Sequence, residues 1–383
     1  MMSQKSYAYS NDAIDKILFC LLIICFGFRD ILPNMGVSVL PFLALIFLIP
    51  CIIIVRELLH RRMSRNLTWL VGTVVCFYVV IIPFNPNAIK LFLPLFLAAV
   101  SFKDLDVRCI AKFFFVLEVT ILLFRWMLIE NGVLEVGHMY TDKIDEGISY
   151  DLGYGNPNTP GVTIFVALCC LHILMYERWR WLSFVLILST SLLAFQYTAS
   201  RTMFFSCTLL LLTYLVPESL LRRFIYNKVF LFLIPIVLIS FIFLSEYLMD
   251  NSVLNTLMTG RVGHLQVIMS MFSSPLTFIT GLQSDMVGSV DFPVDNGMAY
   301  LLCVGGLVAV GLFFFRYVQL IEEKNQMSTA VFTVIIVMLI SGIGEKTIAN
   351  FGVAGGSLFW LFLFNTSYRN TNTENDVEES MVD

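Results

Sequence analysis

The stretch VFLFLIPIVLISFIFLSEYL, residues 229 to 248, decides the fold class of this chain. Glu246 is the one charged residue in it. A helix of roughly 20 apolar residues is long enough to cross the hydrocarbon core of a bilayer. Because lipid offers no hydrogen bonds to an exposed backbone, the stretch is predicted to be a transmembrane helix.

The composition extends this prediction to the whole chain. Of its 383 residues, 58% are hydrophobic and 14% are charged, and the mean hydropathy is +0.83. One water-soluble core cannot bury so much apolar surface, so membrane lipid is the expected surroundings. The net charge of −4 and the lack of a basic block argue against nucleic acid as a partner. The nine cysteines form no CxxC pair, so no metal, disulfide framework or other cofactor is predicted.

Twelve apolar segments are predicted to span the membrane. They lie near residues 14–28, 37–55, 67–84, 87–102, 110–130, 159–176, 181–199, 203–216, 229–248, 296–315, 328–344 and 350–366. The first is expected to be a retained helix, because Arg29 and Asp30 follow it where a signal peptide would have a small-residue cleavage site. Residues 1–366 are thus predicted to form one transmembrane helical domain, and residues 367–383 a disordered cytoplasmic tail.

The distribution of lysine and arginine orients these segments. With the N-terminus inside, 17 of the 24 basic residues fall on the cytoplasmic side, in agreement with the tendency of cytoplasmic loops to retain them. The alternation holds through every loop and favours an even number of spans, with both termini in the cytoplasm. The remaining basic residues lie outside or within a span: Arg29, Lys90, Arg125, Lys143, Arg201, Arg261 and Lys346.

Two predicted outer loops, residues 131–158 and 249–295, are longer than a connection requires, which favours a function for them. The first ends in YDLGYGNPNTPG at 150–161, where tyrosine rings and amide side chains suit the faces and hydroxyls of a saccharide. A helix-entry turn with interfacial tyrosines is the alternative. The second contains TGRVGH at 259–264 and an apolar stretch, 265–279, that Pro275 interrupts. That stretch is predicted to be an interfacial or re-entrant helix, because it is too short to span.

Arg201 lies in a tight outer turn between two apolar spans. An arginine so close to lipid is costly unless it is paired or faces water, so it is a functional candidate, with snorkelling to the interface as the alternative. Together with Arg261 it points to a pyrophosphate site, because the guanidinium fork matches phosphate oxygens. Lys143 and Lys346 are possible additions to that site. Arg125, inside the fifth predicted span and followed by Glu130, is a candidate in the same way, with pairing within its own helix or snorkelling outward as the alternatives.

Proton transfer needs a titratable group on the outer side. The sequence offers His138, His264, Asp151, Asp295 and Glu345 there. His264 is the best placed, three residues after Arg261 and on a neighbouring face if that segment is helical. A solvated interfacial histidine is the alternative.

In this pattern the chain resembles the O-antigen and capsule repeat-unit polymerases of the Wzy type, within the group that includes the O-antigen ligases. The resemblance runs from about the fifth predicted span to the last. It is carried by GNPN at 155–158, Ser200-Arg201, Gly260-Arg261, Gly281, Asp295-Asn296, Tyr300 and Gly305-Gly306. Family members often have histidine directly before the Pro-Asn pair, where this chain has Asn156, and this departure moves the expected base to His264 or Asp295.

The resemblance implies a GT-C-like membrane fold and a metal-independent glycosyltransferase that joins undecaprenyl-pyrophosphate-linked repeat units outside the cytoplasm. Arg201 and Arg261 are then expected to stabilise the pyrophosphate leaving group. A chain-length regulator is a further expected partner. The residues expected to bind the substrate are Tyr154, Asn156, Asn158, Lys143, Asn296 and Tyr300.

Two other functions stay open at this stage. An O-antigen ligase differs only in its acceptor, and sequence separates the two poorly. A transporter or flippase also has many spans, but it typically shows similar halves and charges near the membrane midplane. Here the middles of the predicted spans carry few charges and the polar mass lies outside, which disfavours transport.

Overall fold

The structure is a computed structural model of the full chain. It describes residues 2–29, 31–32, 37–60, 63–81, 83–86, 88–135, 138–140, 148–154, 158–249, 261–282, 296–342, 345, 348 and 354–367. Four residues named above as candidates, Lys143, Asn156, Asp295 and Lys346, lie outside these ranges, as does the predicted tail from residue 368 onward.

The described chain is helical apart from one short hairpin. The first part contains α1 (Met2–Phe28), α2 (Leu40–Leu59), α3 (Arg65–Val80), a π-helical turn (Ala88–Phe92) that leads into α4 (Leu93–Ser101), and α5 (Val107–Glu130). The antiparallel strands β1 (His138–Tyr140) and β2 (Ile148–Tyr150) follow, with Met139 opposite Ser149. This hairpin lies in the first predicted outer loop and departs from the purely helical fold that the sequence predicted.

The second part continues with helices that are numbered in chain order. They are α6 (Asn158–Met175), α7 (Arg180–Thr198), α8 (Arg201–Leu215), α9 (Glu218–Ile225), α10 (Lys228–Phe243), α11 (Ser245–Met249), α12 (Arg261–Met271), α13 (Pro275–Thr280), α14 (Gly297–Glu323), α15 (Thr329–Ser341) and α16 (Ala354–Phe364). A 3₁₀ turn, Lys324–Gln326, follows α14. Each of the twelve predicted spans overlaps a helix, so the helical class is confirmed, whereas twelve crossings and a GT-C-like topology stay predictions.

Short polar side chains set several helix starts. Ser64, Asp106, Asn227 and Ser328 each accept a hydrogen bond from a backbone N–H in the first turn of the following helix. Such a cap satisfies a donor that has no partner within the helix. The observed helices therefore begin at these residues rather than at the edge of the apolar run.

The interior and the periphery of the bundle differ sharply. Nearly every side chain of α4 and α15 is buried, and Trp360 and Phe359 of α16 are fully enclosed. In α2 and α7, by contrast, only 28% of the most apolar window is buried. Large apolar side chains such as Leu40 (71% exposed) and Trp181 (67% exposed) point outward from them. An apolar surface of this extent is suited to contact with lipid.

Length and composition identify the best candidates for membrane spans. Among the described residues four helical segments qualify, namely α2, α6, α7 and the segment Gly297–Gln326. A fifth qualifies if α9 and α10, which meet at a 58° bend, are counted as one broken span. Several shorter apolar helices, among them α3, α8 and α15, fall below that length. The chain therefore has helices compatible with a membrane protein.

The break in α14 positions the segment between residues 261 and 282. Gly306 has a φ of +65° inside that helix, and a Cβ there would lie 2.1 Å from the carbonyl oxygen of Ile279. Gly281, at φ +84°, follows the last residue of α13, and a Cβ there would lie 2.5 Å from the carbonyl oxygen of Cys303. The buried Asn85 Nδ2 donates to the carbonyls of Thr280 (2.7 Å) and Val304 (3.0 Å). The end of α13 thus enters the break in α14. The stretch predicted as one helix at 265–279 forms two helices, α12 and α13, and its interfacial or re-entrant position stays a prediction.

Candidate functional site

The turn between α7 and α8 places Arg201. Ala199 adopts a left-handed conformation with φ +48°, and Ser200 caps α8 by accepting a hydrogen bond from the Met203 N–H. Arg201 is consequently the first residue of α8, and its side chain is exposed. On the neighbouring helix, a Cβ added to Gly161 would lie 2.9 Å from the Ser200 side chain. The start of α6 therefore packs directly against the turn that carries Arg201.

Arg261, the first residue of α12, joins three parts of the chain. Its Nη1 donates to the Thr202 hydroxyl at 3.2 Å, and its Nη2 lies 3.4 Å from Oε1 of Glu345. The two charged side chains are 18% and 7% exposed. Because Thr202 follows Arg201 directly, the two arginines that the sequence singled out are brought to the same end of the bundle. Glu345, which the sequence offered only as one of several outer acids, is the carboxylate that holds Arg261.

A pair of hydroxyls lies one helical turn deeper. Ser341 of α15 donates to Ser206 of α8 at 2.7 Å, and Ser206 in turn donates to the carbonyl of Thr202. Residues four apart lie on the same helix face, so this pair continues the line from Thr202 and Glu345 into the interior. Two successive polar contacts fix how α8 and the end of α15 align.

The start of α14 closes the same region. Asn296 is 3% exposed, and its side-chain oxygen accepts hydrogen bonds from the N–H groups of Met298 (3.0 Å) and Ala299 (2.9 Å). The Gly297 N–H donates to the Gly342 carbonyl, and a Cβ on Gly297 would meet Ile348 at 2.4 Å. The side-chain oxygen of Asn296 therefore caps α14, and its predicted contact with the substrate stays a prediction. Tyr300 is half-buried one turn further along, against the hydrophobic core.

Four helices thus begin at one end of the molecule: α6, α8, α12 and α14. A helix N-terminus carries a partial positive charge, and it attracts anions. Arg201 and Arg261 stand at two of these termini. Arg201 offers an exposed guanidinium, and Arg261 offers a second guanidinium held by Thr202 and Glu345. Together with the helix N-termini, they suit a strongly charged oxyanion such as a diphosphate.

The loop before α6 is fixed by Arg125. Its Nη1 donates to the Gly153 carbonyl at 2.7 Å, and its guanidinium carbon lies 3.5 Å from the centre of the Tyr154 ring. Leu152 and Gly153 both have positive φ, and the Asp151 carboxylate accepts the Gly153 N–H. Arg125 is 2% exposed and its guanidinium contacts this loop, so it does not snorkel outward. The guanidinium also covers one face of Tyr154 and leaves less of that ring for a sugar.

Other predicted site residues are placed nearby. Tyr150 lies 6.5 Å, between ring centres, from Tyr197 near the end of α7, so the hairpin packs beside the Arg201 turn. Asn158 is the first residue of α6 and is half-buried. His264 is half-buried on α12, one turn after Arg261. Within the described ranges, no three His, Cys, Asp or Glu side chains cluster in a way that would hold a metal ion.

Sequence reasoning missed Glu118. It is 2% exposed in α5, about 16 Å along the axis from the start of that helix. Its Oε1 has no hydrogen-bond partner among the described residues. A second buried polar group is His172 of α6, whose Nδ1 lies 2.8 Å from the Tyr214 hydroxyl, which also contacts Ser183 at 2.6 Å. Glu118 could have been found from the sequence, because an acid in the middle of an apolar segment is a functional candidate in itself.

Comparison with known protein families, curated proteins and solved structures finds no match to this chain. The structure itself shows a helical bundle with candidate membrane-spanning helices and with two arginines at the end where four helices begin.

Proposed function

We propose that this protein is a membrane glycosyltransferase that polymerises undecaprenyl-pyrophosphate-linked oligosaccharides into O-antigen, capsule or exopolysaccharide. The observation that carries the proposal is the position of Arg261, held between Glu345 and Thr202, the residue that directly follows Arg201. Two guanidinium groups near four helix N-termini are an arrangement suited to a diphosphate. The resemblance to Wzy-type polymerases supports the same assignment.

The reaction transfers a glycan from one lipid to another. A hydroxyl oxygen at the nonreducing end of the incoming repeat unit forms a bond to the anomeric carbon of the growing chain. The bond from that carbon to the pyrophosphate oxygen breaks, and its electron pair leaves with undecaprenyl pyrophosphate. Arg201 and Arg261 stabilise the charge that develops on this leaving group. The hydroxyl proton passes to a base, for which His264 and Asp295 are the expected residues.

The saccharide is expected to lie beside the hairpin. Tyr150 and Tyr197 present aromatic rings near the Arg201 turn, and Asn158 opens α6 next to it. The fixed loop at 151–154 gives this side of the site a preformed shape, which lowers the entropy cost of binding. The predicted contacts of Asn156, Lys143 and Tyr300 with the glycan belong to this proposal.

The proposed location is the bacterial cytoplasmic membrane, with twelve crossings in a GT-C-like arrangement and both termini inside. The distribution of basic residues supports this orientation, because it puts Arg201 and Arg261 on the outer face, where exported lipid-linked glycans are found. The shorter helices cross by tilting little and by locally thinning the bilayer. Membrane lipid and a chain-length regulator are the proposed partners.

Electrophoresis of surface glycans tests the proposal. Deletion of the gene should reduce the glycan to single repeat units, and complementation with Arg201→Ala should leave it so, because the variant removes one guanidinium from the proposed diphosphate site. Arg223→Ala, at an exposed arginine of α9 predicted to face the cytoplasm, is the matched control and should restore long chains. Wild-type chain lengths with Arg201→Ala at normal protein levels would contradict the assignment of Arg201.

An O-antigen ligase remains the nearest alternative. It would use the same arginines on the same lipid donor and transfer the finished glycan to another acceptor. The deletion distinguishes the two, since loss of all surface-attached glycan, with long chains kept on the carrier lipid, indicates a ligase.

Glu118 gives a specific reason to keep a transporter or flippase as a second candidate. A buried carboxyl group near the middle of α5 is the kind of feature that proton-coupled transporters use. If the protein is a transporter, Glu118→Gln should abolish export of the lipid-linked unit to the outer face. If it is a polymerase, export should continue in that variant.

A further inference from the structure

An open groove lies at the opposite end of α14 from the arginine site. It runs between the start of α3 and the last turns of α14, and the end of α16 forms its floor. Its volume is about 650 Å³. Apolar side chains line its length and polar groups line one end, among them Leu67, Leu70, Phe315, Phe364, Lys103 and Thr366.

The floor of the groove is rigidly built. Arg316 is 5% exposed, and its guanidinium donates to the carbonyls of Leu363 (2.7 Å) and Asn365 (3.2 Å) and pairs with Glu323. The Thr366 N–H donates to the carbonyl of Lys103 at 2.6 Å. These contacts join the end of α16 to α14 and to the loop before α5. The groove is therefore a preformed feature.

The charged side chains that line the groove are basic. Lys103 and Arg316 line it, and no described carboxylate does. Their acidic partners, Asp104 and Glu323, lie outside the lining. Arg65 is exposed and stands in the chain between the lining residues Ser64 and Asn66.

The apolar part of the groove faces outward. Trp69 and Phe315, on its two walls, are 67% and 52% exposed. In a membrane such walls contact acyl chains, and basic pockets between helices are sites where anionic lipid headgroups bind.

We propose that this groove binds one anionic glycerophospholipid. An acyl chain lies between α3 and α14, and the phosphate lies at the polar end near Lys103, Ser64 and Arg65. This inference rests on the membrane location that is part of the proposed function, but it does not depend on which reaction the arginine site performs.

Native mass spectrometry of the purified full chain in detergent tests the proposal. Phosphatidylglycerol should bind at lower concentration than phosphatidylcholine, and the double variant with Arg65→Gln and Lys103→Gln should weaken that binding, by about fivefold for each charge lost. Thr73→Trp, which adds bulk to the groove wall without a charge change, should reduce binding of both lipids. Arg223→Gln, an exposed charge away from the groove, is the control and should bind as the wild type does.

Three results would overturn the proposal: equal binding of the two lipids, unchanged binding in the Thr73→Trp protein, or displacement of the lipid by millimolar inorganic phosphate alone. The first removes the charge preference, the second removes the groove, and the third shows that the acyl chain contributes nothing. None of them bears on glycan chain length, so failure here is distinguishable from failure of the proposed reaction.

Discussion

The ion pair between Arg261 and Glu345 allows the geometry of the arginine site to be tested without an activity assay. The variants are Arg261→Gln, Glu345→Gln and the two combined. At 3.4 Å and an effective dielectric constant near 20, the gross attraction is about 5 kcal/mol. Desolvation of both groups offsets much of it, so the expected coupling energy is about 1–3 kcal/mol.

Unfolding of the purified proteins in detergent gives the four free energies of the double-mutant cycle. Arg222 and Glu218, an ion pair on α9 whose side chains are 55% and 48% exposed, provide the control cycle. Its coupling should stay at about 0.5 kcal/mol or less, because solvent screens the pair. Coupling between Arg261 and Glu345 no larger than that of the control would refute the claim that the two side chains form the enclosed pair on which the site depends.

Three further predictions concern how the site is supported. Gly306→Ala should lower the free energy of unfolding by about 3 kcal/mol or more, because the new Cβ would meet the Ile279 carbonyl at 2.1 Å and φ is positive. Gly311→Ala is the control, since a Cβ there meets nothing within 4 Å, and it should be neutral or stabilising. Thermal unfolding of both variants measures the difference. Arg125→Met should speed protease cleavage within residues 131–158, since it removes the hydrogen bond to Gly153 and the contact with Tyr154, and an unchanged cleavage rate would contradict the anchoring role. Gly161→Ala should displace the α7–α8 turn and shorten the surface glycan at normal protein levels, which chain-length electrophoresis would measure; wild-type lengths would show that this close packing does not set the position of Arg201.

The helical class followed from the sequence because it depends on local composition. A run such as 229–248 is mostly helical wherever it packs, since its own backbone supplies its hydrogen bonds, although a turn at Leu244 divides it into α10 and α11. The starts of α3 and α15 were less predictable, because Ser64 and Ser328 set them through side-chain caps. The hairpin at 138–140 and 148–150 was missed because its short strands pair across a loop and carry little pattern of their own.

The candidate site was predicted in part. Arg201 was singled out because an arginine beside lipid is costly unless it is paired or faces water, and Arg261 as the second arginine of a pyrophosphate site. Both lie at the same end of the bundle. Asn296 was predicted to bind the substrate from the resemblance to Wzy-type polymerases, and only the structure shows that its side-chain oxygen caps α14. Glu118 was overlooked because one acid within an apolar helix hardly changes the average hydropathy.

By itself, the sequence determined that this chain is made of apolar helices, and which charged residues are costly enough to deserve an explanation. Helix formation and the cost of a charge both depend on the composition of a single segment, so they can be predicted without knowing how the segments pack. Only the tertiary structure decided that Glu345 holds Arg261, that Arg125 anchors residues 151–154, and that Gly281 and Gly306 allow α13 to enter the break in α14. Each of these contacts joins residues far apart in the chain, and their energies depend on distance and burial, which only the packed bundle defines.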